Sequence, residues 1–214
     1  MGNGSSWQLN VKIPLDRVGV VIGPKGTVKK QIEKSCEVAL TIDGETGIVD
    51  ISSANPADPS GVLRAQNVVN AVGRGFSPEK AYLLFSEDRF LDVIDLRELL
   101  GRSPQNIKRI KGRLIGSRGK TWRLIEELTG VRLSVYGHTV AIIGNLGRME
   151  IAKEAITMLI KGSQHGPVYS FLLAKRREMK KARIDLWEPM GERRPEGLEE
   201  KDTPMTSGDN NEEG

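Results

Sequence analysis

The sequence predicts an α+β chain built from two copies of one β-α-α-β-β-α unit, and three observations carry that reading. A glycine-framed heptapeptide occurs twice, period-two apolar stretches alternate with segments of helical spacing, and no apolar run is long enough to dominate the architecture. Val21-Ile22-Gly23-Pro24-Lys25-Gly26-Thr27 is echoed by Leu114-Ile115-Gly116-Ser117-Arg118-Gly119-Lys120, at an offset of 93 residues. The echo continues without a gap: Ile32-Glu33 matches Ile125-Glu126, Val38 matches Val131, Leu40 matches Leu133 and Gly44 matches Gly137. One Gly-x-x-Gly is weak evidence, whereas two in the same flanking pattern are a duplication.

In the first copy Leu9, Val11 and Ile13 alternate as a strand that Pro14 ends, and a short helix is expected from Asp16 to Ile22. After the second glycine of each copy, Val28 and Ile32, then Trp122, Ile125 and Leu128, take helical spacing, so a helix opens at each loop. Val38, Leu40, Ile42 and their echoes Val131, Leu133, Val135 alternate as strands. Second strands follow at Ile48 to Ile51 and Val140 to Ile143, then helices at about Gly61 to Val72 and Leu146 to Ile160. In the second copy the first strand, Phe90 to Leu96, stands farther from its loop, and Ser103-Pro104 predicts a longer helix from Pro104 to Leu114, with serine as N-cap and proline at the first helical position. Ser77-Pro78-Glu79 to Phe85 reads as a capped helix joining the copies. The expected domains are 1–88, 89–165, a basic C-terminal helix at 166–188, and an acidic tail at 189–214 that has too little apolar surface to order itself.

Charge is distributed unevenly along the 214 residues. Met1 to Asp88 hold 9 Lys/Arg and 10 Asp/Glu, while Arg89 to Glu188 hold 20 and 10, and the tail turns acidic again. A segment so basic attracts a polyanion, and nucleic acid is the leading partner. No run approaches the roughly 20 apolar residues of a membrane-spanning helix, and the N-terminus has no signal-peptide pattern, so a soluble, cytoplasmic chain is expected. Cys36 is the only cysteine; it can form neither an intramolecular disulfide nor a cysteine-based zinc site and is expected to be a small buried hydrophobe.

Ile13-Pro14, Val18-Gly19-Val20-Val21-Ile22-Gly23-Pro24-Lys25-Gly26 and the strand Val38 to Ile42 closely resemble the signature of the KH family. So do Arg113-Leu114-Ile115-Gly116-Ser117-Arg118-Gly119-Lys120, Ile125 and Thr129-Gly130-Val131. The order of elements resembles the eukaryotic-type (type I) KH topology, which implies two tandem domains, each a three-stranded antiparallel sheet with helices on one face. The full layout, two such units and a basic helix, is similar to the family of archaeal ribosome-assembly KH proteins known as partner of Nob one. That resemblance implies single-stranded RNA as partner, in particular the 3′ region of small-subunit ribosomal RNA precursors, and work beside the endonuclease that trims it and other ribosome or translation factors.

The chemistry suits that reading. Paired glycines permit a tight turn and close approach of phosphate to backbone N–H groups, at a helix N-terminus whose dipole favours an anion; a KH loop of this kind clamps about four nucleotides of backbone. The expected RNA-binding residues are Gly23, Pro24, Lys25, Gly26, Lys29 and Lys30 in the first copy. In the second they are Lys108, Arg109, Lys111, Arg113, Gly116, Ser117, Arg118, Gly119, Lys120 and Arg123. An aliphatic groove for bases is assigned to Ile22, Val28, Ile32, Val38 and Leu40, and to Ile115, Ile125, Val131 and Leu133, although for any single one of these a core role is the better reading. Pro24 lacks a backbone donor, and Glu33, Glu37, Asp43 and Glu45 lie near the first loop, so the second is the expected main site. Trp122 shares a helix with Ile125 and is expected to bury rather than stack on a base.

Enzymatic readings are weaker. Gly-Lys-Thr at Gly119 to Thr121 resembles the end of a P-loop, but its first glycine would fall at Leu114. Pro14 and Asp16 stand where a dinucleotide-binding fold needs a buried parallel strand. His138 and His165 belong to separate segments, and acidic pairs such as Glu126-Glu127 are ordinary on a solvated helix. No catalytic residue, metal or cofactor is assigned. The principal alternative is an adaptor in which the less basic first copy binds a protein.

Overall fold

The computed structural model describes residues 7–53 and 59–185. The expected tail at 189–214 therefore lies outside the described residues, as do the last three residues of the expected helix at 166–188. The described chain forms two units, the first ending at Glu178, and the architecture below is that of the first.

The first repeat runs β1 (Gln8–Lys12), α1 (Leu15–Ile22), α2 (Thr27–Cys36), β2 (Val38–Ile42), β3 (Ile48–Ser53) and α3 (Ser60–Gly73). A linker of one α-helical turn, α4 (Pro78–Ala81), and a 3-10 turn (Tyr82–Phe85) leads to β4 (Phe90–Asp95), α5 (Leu96–Leu100), α6 (Pro104–Ile115), α7 (Lys120–Thr129), β5 (Arg132–Tyr136), β6 (Thr139–Gly144) and α8 (Leu146–Ile160). A last helix, α9, spans His165–Asp185. Each repeat holds a three-stranded antiparallel sheet, in the orders β1-β3-β2 and β4-β6-β5. The tandem β-α-α-β-β-α architecture is thus observed, with the third strand of each unit in the centre.

Local chemistry explains most boundaries. Pro14 ends β1 and precedes α1, and Ser103 Oγ accepts the N–H of Asn106 with Pro104 at the first helical position of α6, as expected. Two expectations need correcting. Ser77 makes no capping bond and its helix is a single turn before the chain tightens at Tyr82. The strand read to Leu96 stops at Asp95, whose carboxylate accepts the N–H of Arg97 and starts α5, a helix the apolar spacing does not reveal.

Each sheet packs its helices on one face around a core, Val21, Ile32, Val49 and Ile51 in the first repeat and Ile110, Ile125, Ile142 and Leu159 in the second. The opposite faces differ. β3 alternates, with Asp50 exposed, whereas every residue of β6 is buried. Ala141 and Ile143 of β6 join the first repeat's core, together with Phe76, Ala81 and Leu84 of the segment between the copies. The second sheet is therefore covered on both faces, which is why its central strand reads as a continuous apolar run. Polar bonds lock the contact: Ser134 Oγ donates to the Arg74 carbonyl at 2.7 Å, the Tyr136 hydroxyl bonds the Asp16 carboxylate, and the Arg17 guanidinium lies 5.7 Å from the Tyr136 ring centroid. Among the described residues no helix is long and apolar enough to cross a membrane.

Candidate nucleic-acid interface

The two glycine-framed turns have the same backbone. Gly23, Lys25 and Gly26 have φ of 71°, 53° and 75°; Gly116, Arg118 and Gly119 have φ of 72°, 51° and 74°. The glycines of each pair serve different needs. A Cβ on Gly23 or Gly116 would strike the side chain five residues on, Val28 or Thr121, whereas one on Gly26 would meet nothing and one on Gly119 only Arg123 Nε at 4.0 Å, so that pair is favoured by its positive φ alone. No side chain caps α2 or α7, so the leading N–H groups of both helices have no side-chain acceptor beside an exposed turn. Lys25 and Arg118, the cations of the two turns, occupy the left-handed region that non-glycine residues avoid.

Around the second turn the cations gather. A cleft of about 640 Å³ on the α7 side is lined by Ser117, Arg118, Lys120, Arg123, Leu124 and Glu127. Arg118, Lys120 and Arg123 are exposed, as are Lys108 and Arg109 on α6. Around the first turn Lys25 and Lys30 are exposed, but Lys29 lies 3.9 Å from Glu33. The β2–β3 turn of the same repeat is acidic, and Asp43 is held below the usual carboxylate range by hydrogen bonds from the Thr46 hydroxyl and the Glu45 N–H. Exposed cations are thus more numerous on the turn and helices of the second copy than on those of the first.

Two expected roles change. Arg113 turns inward, donating to the Ser163 carbonyl beside His165, whose ring bonds the Arg113 carbonyl at 3.0 Å; it fastens the start of α9 instead of facing solvent. Charge in a sequence does not say which cations are spent on the protein's own carbonyls. The aliphatic groove also needs correcting. Val28, Ile32, Val38, Leu40, Ile125, Val131 and Leu133 are buried core, where they cannot offer surface to a base, and only Ile22, 36% exposed, and the half-buried Ile115 reach the outside. Trp122 is half-buried against the second core and Cys36 is buried, as expected. Burial pushes the Cys36 thiol up to about 11.

In each repeat the strand that follows the helix opened by the turn, β2 or β5, is an edge strand. Helix α9 braces the second turn from behind, with Val168 and Leu172 in the core and Thr121 Oγ1 2.8 Å from the Tyr169 hydroxyl. A feature the sequence reading passed over is a cavity of about 540 Å³ on the α6 side, which includes Arg97, Arg102, Lys108, Lys111 and Ile115 in its wall. Among the described residues no group of His, Cys, Asp or Glu could hold a metal ion.

Comparison with known proteins agrees with this geometry. Residues 8–71 match the KH domain, and residues 90–177 match the eukaryotic-type (type I) KH domain, the latter reaching into α9. The chain is 48% identical to the KH domain-containing protein MJ0443 of Methanocaldococcus jannaschii, over 83% of this chain and 78% of that one. It is 30% identical to the pre-rRNA-processing protein pno1 of Schizosaccharomyces pombe, over 54% and 48% respectively. A chain of the a/eIF2alpha-aDim2p-rRNA complex from Pyrococcus horikoshii superposes with a TM-score of 0.76 at 46% identity, covering 81% of this chain and 96% of that one. Two tandem KH units with duplicated turns, matched over most of their length by these proteins, place the chain in the Pno1/Dim2 family of tandem KH proteins.

Proposed function

We propose that this protein binds single-stranded RNA through its glycine-framed turns, chiefly the second, and that its target is the 3′ region of the small-subunit ribosomal RNA precursor. The observation that carries the proposal is the second turn. A left-handed Arg118 between two glycines opens a helix with no side-chain cap, amid Lys120, Arg123, Lys108 and Arg109. Phosphate oxygens of an unpaired strand would meet backbone N–H groups and the helix dipole there, and the cations would release counterions on contact. Bases would lie toward Ile115 and the β5 edge. The names of the relatives, a pre-rRNA-processing protein and a complex containing rRNA, support the choice of ribosomal RNA. The role is binding and positioning, with any cutting left to a partner such as the trimming endonuclease.

Cross-linking the protein to RNA in cells and sequencing the bound fragments tests this directly. Enrichment at the 3′ end of small-subunit ribosomal RNA is the expected outcome; a scatter over messenger RNAs contradicts it. A second reading applies to the first repeat alone. Pro24 withholds one backbone donor and Asp43 and Glu45 repel phosphate, which favours a protein partner for that surface, including a translation factor of the kind named in the solved complex.

A further inference from the structure

The cleft of about 640 Å³ on the α7 side holds a carboxylate that a phosphate clamp does not explain. Lys120, Arg123, Leu124 and Glu127 follow the spacing i, i+3, i+4 and i+7, so they share one face of the helix, and Ser117 and Arg118 of the glycine turn complete the lining. That lining is mixed: three cations, the half-buried aliphatic chain of Leu124, and one acid. Two neighbouring glutamates have different fates here. Glu126 is spent on the sheet, accepting the Leu133 N–H at 2.7 Å. Glu127 is exposed and, among the described residues, enters no ion pair although three cations share its cleft.

A site for bare phosphate gains nothing from a carboxylate, which repels the anion. A nucleotide has a use for every part of this lining: cations for its phosphate, an aliphatic side chain and a guanidinium plane for the face of its base, and an acceptor for donors on the base edge. Lys120 and Glu127 stand about 10 Å apart along the helix axis, so the anion-binding and donor-binding ends of the cleft are separate. The first repeat lacks this combination. At the offset of 93 residues, Thr27, Lys30, Gln31 and Lys34 stand where the second repeat has Lys120, Arg123, Leu124 and Glu127. The aliphatic chain is replaced by an amide, and the acid by a cation.

We infer that this cleft is a base-reading subsite outside the glycine clamp, which takes one nucleotide flanking the clamped segment and selects it through Glu127. The inference rests on the RNA-binding reading above and adds a specificity to it. The phosphate of that nucleotide lies toward Arg118 and Lys120, its base lies against Leu124 and Arg123, and the base edge donates to the Glu127 carboxylate. Guanine suits such an acceptor best, because two donors stand side by side on its Watson–Crick edge. Adenine and cytosine offer an amine each. Uracil offers only a ring N–H between two carbonyl oxygens, which a carboxylate repels, so uracil is disfavoured at that position.

The test uses the full chain and labelled single-stranded RNAs that share a core of about four nucleotides. Each probe carries one added nucleotide, with each of the four bases in turn, at the 5′ or the 3′ end. The wild type is expected to prefer guanine over uracil by about fivefold or more at one end and to be indifferent at the other. E127A abolishes that preference and binds the uracil-ended probe at least as tightly as the wild type does, since a repelling charge is gone. E127Q, of the same shape but uncharged, narrows the preference. Indifference of the wild type at both ends, a preference that survives E127A, or an equal gain by E127A on all four bases overturns the subsite. If the wild type does not bind the core, or R118E/K120E fails to weaken that binding, the clamp itself is wrong and the subsite falls with it. A core that binds normally, with no effect of the added base, refutes the subsite alone.

Discussion

The backbone N–H of Leu133 donates to Glu126 Oε1 at 2.7 Å, and the same bond recurs 93 residues earlier between Leu40 and Glu33 at 2.9 Å. In each repeat a carboxylate on the helix that opens at the glycine turn seals a donor on the sheet's edge strand. The bond ties that helix to the strand and blunts an edge that would otherwise pair with another chain. Glu126→Ala leaves a part-buried N–H without its acceptor and is expected to cost about 1–3 kcal/mol, with Glu126→Gln costing less; urea denaturation of the two variants measures both.

Arg118 offers a test of strain held for function. Its φ of 51° is unfavourable for a residue with a Cβ, by about 1–2 kcal/mol. Arg118→Gly should therefore raise stability by about 1 kcal/mol while weakening RNA binding. A variant that loses both, in thermal melting and in binding titrations, shows that the arginine side chain is a structural contact.

The repeats share a core, so they should melt as one. Ala141, fully buried, sits in the second sheet but packs in the first repeat's cluster. The wild type is expected to give a single calorimetric transition, whereas Ala141→Asp, which buries a charge at the joint, should lower stability by several kcal/mol and separate the transition into two. Tyr136→Phe should do much less, because its bond to Asp16 lies at the exposed rim.

Two titrations give opposite pH limits. Asp88 is held below the usual carboxylate range by hydrogen bonds from the Ser86 hydroxyl and the Asn145 amide, so its contribution is present above the unfolded value and lost as pH falls through the lower folded one. Asp88→Asn should flatten the acid limb of a stability curve. The Cys36 thiol is raised from 9.0 to about 11 by burial, so folding favours its neutral form. Its contribution is complete below pH 9.0 and declines as pH rises through about 11, a loss that Cys36→Ala removes. The same burial predicts slow alkylation of Cys36 in the native protein.

The duplicated turns were legible in the sequence because a tight turn with positive φ leaves glycine at fixed positions and its flanking helix leaves period-3.6 apolar spacing. Ser103-Pro104 announced α6 by the same local chemistry. Arg113 and the groove aliphatics were misread for a physical reason: residue type records what a side chain can do, whereas burial and carbonyl partners depend on segments far along the chain, Ser163 in one instance. The covering of the second sheet had a signal, the run Val140-Ala141-Ile142-Ile143 against the alternation at Asp50, but nothing local names what covers it. Nothing local announces Arg97, because α5, which presents it, is too short to show a period, and Arg102 lies in the loop that follows.

The second glycine turn is the proposed principal grip on RNA, and the binding of a single-stranded ribosomal RNA fragment by two charge-reversed full-length variants tests that most directly. Arg118→Glu with Lys120→Glu should reduce affinity about tenfold or more and flatten the salt dependence by about 1.4, the share of two phosphate contacts. Lys25→Glu with Lys29→Glu should cost far less, since Lys29 already faces Glu33. Equal losses from the two pairs, or a larger loss from the first repeat, would contradict it.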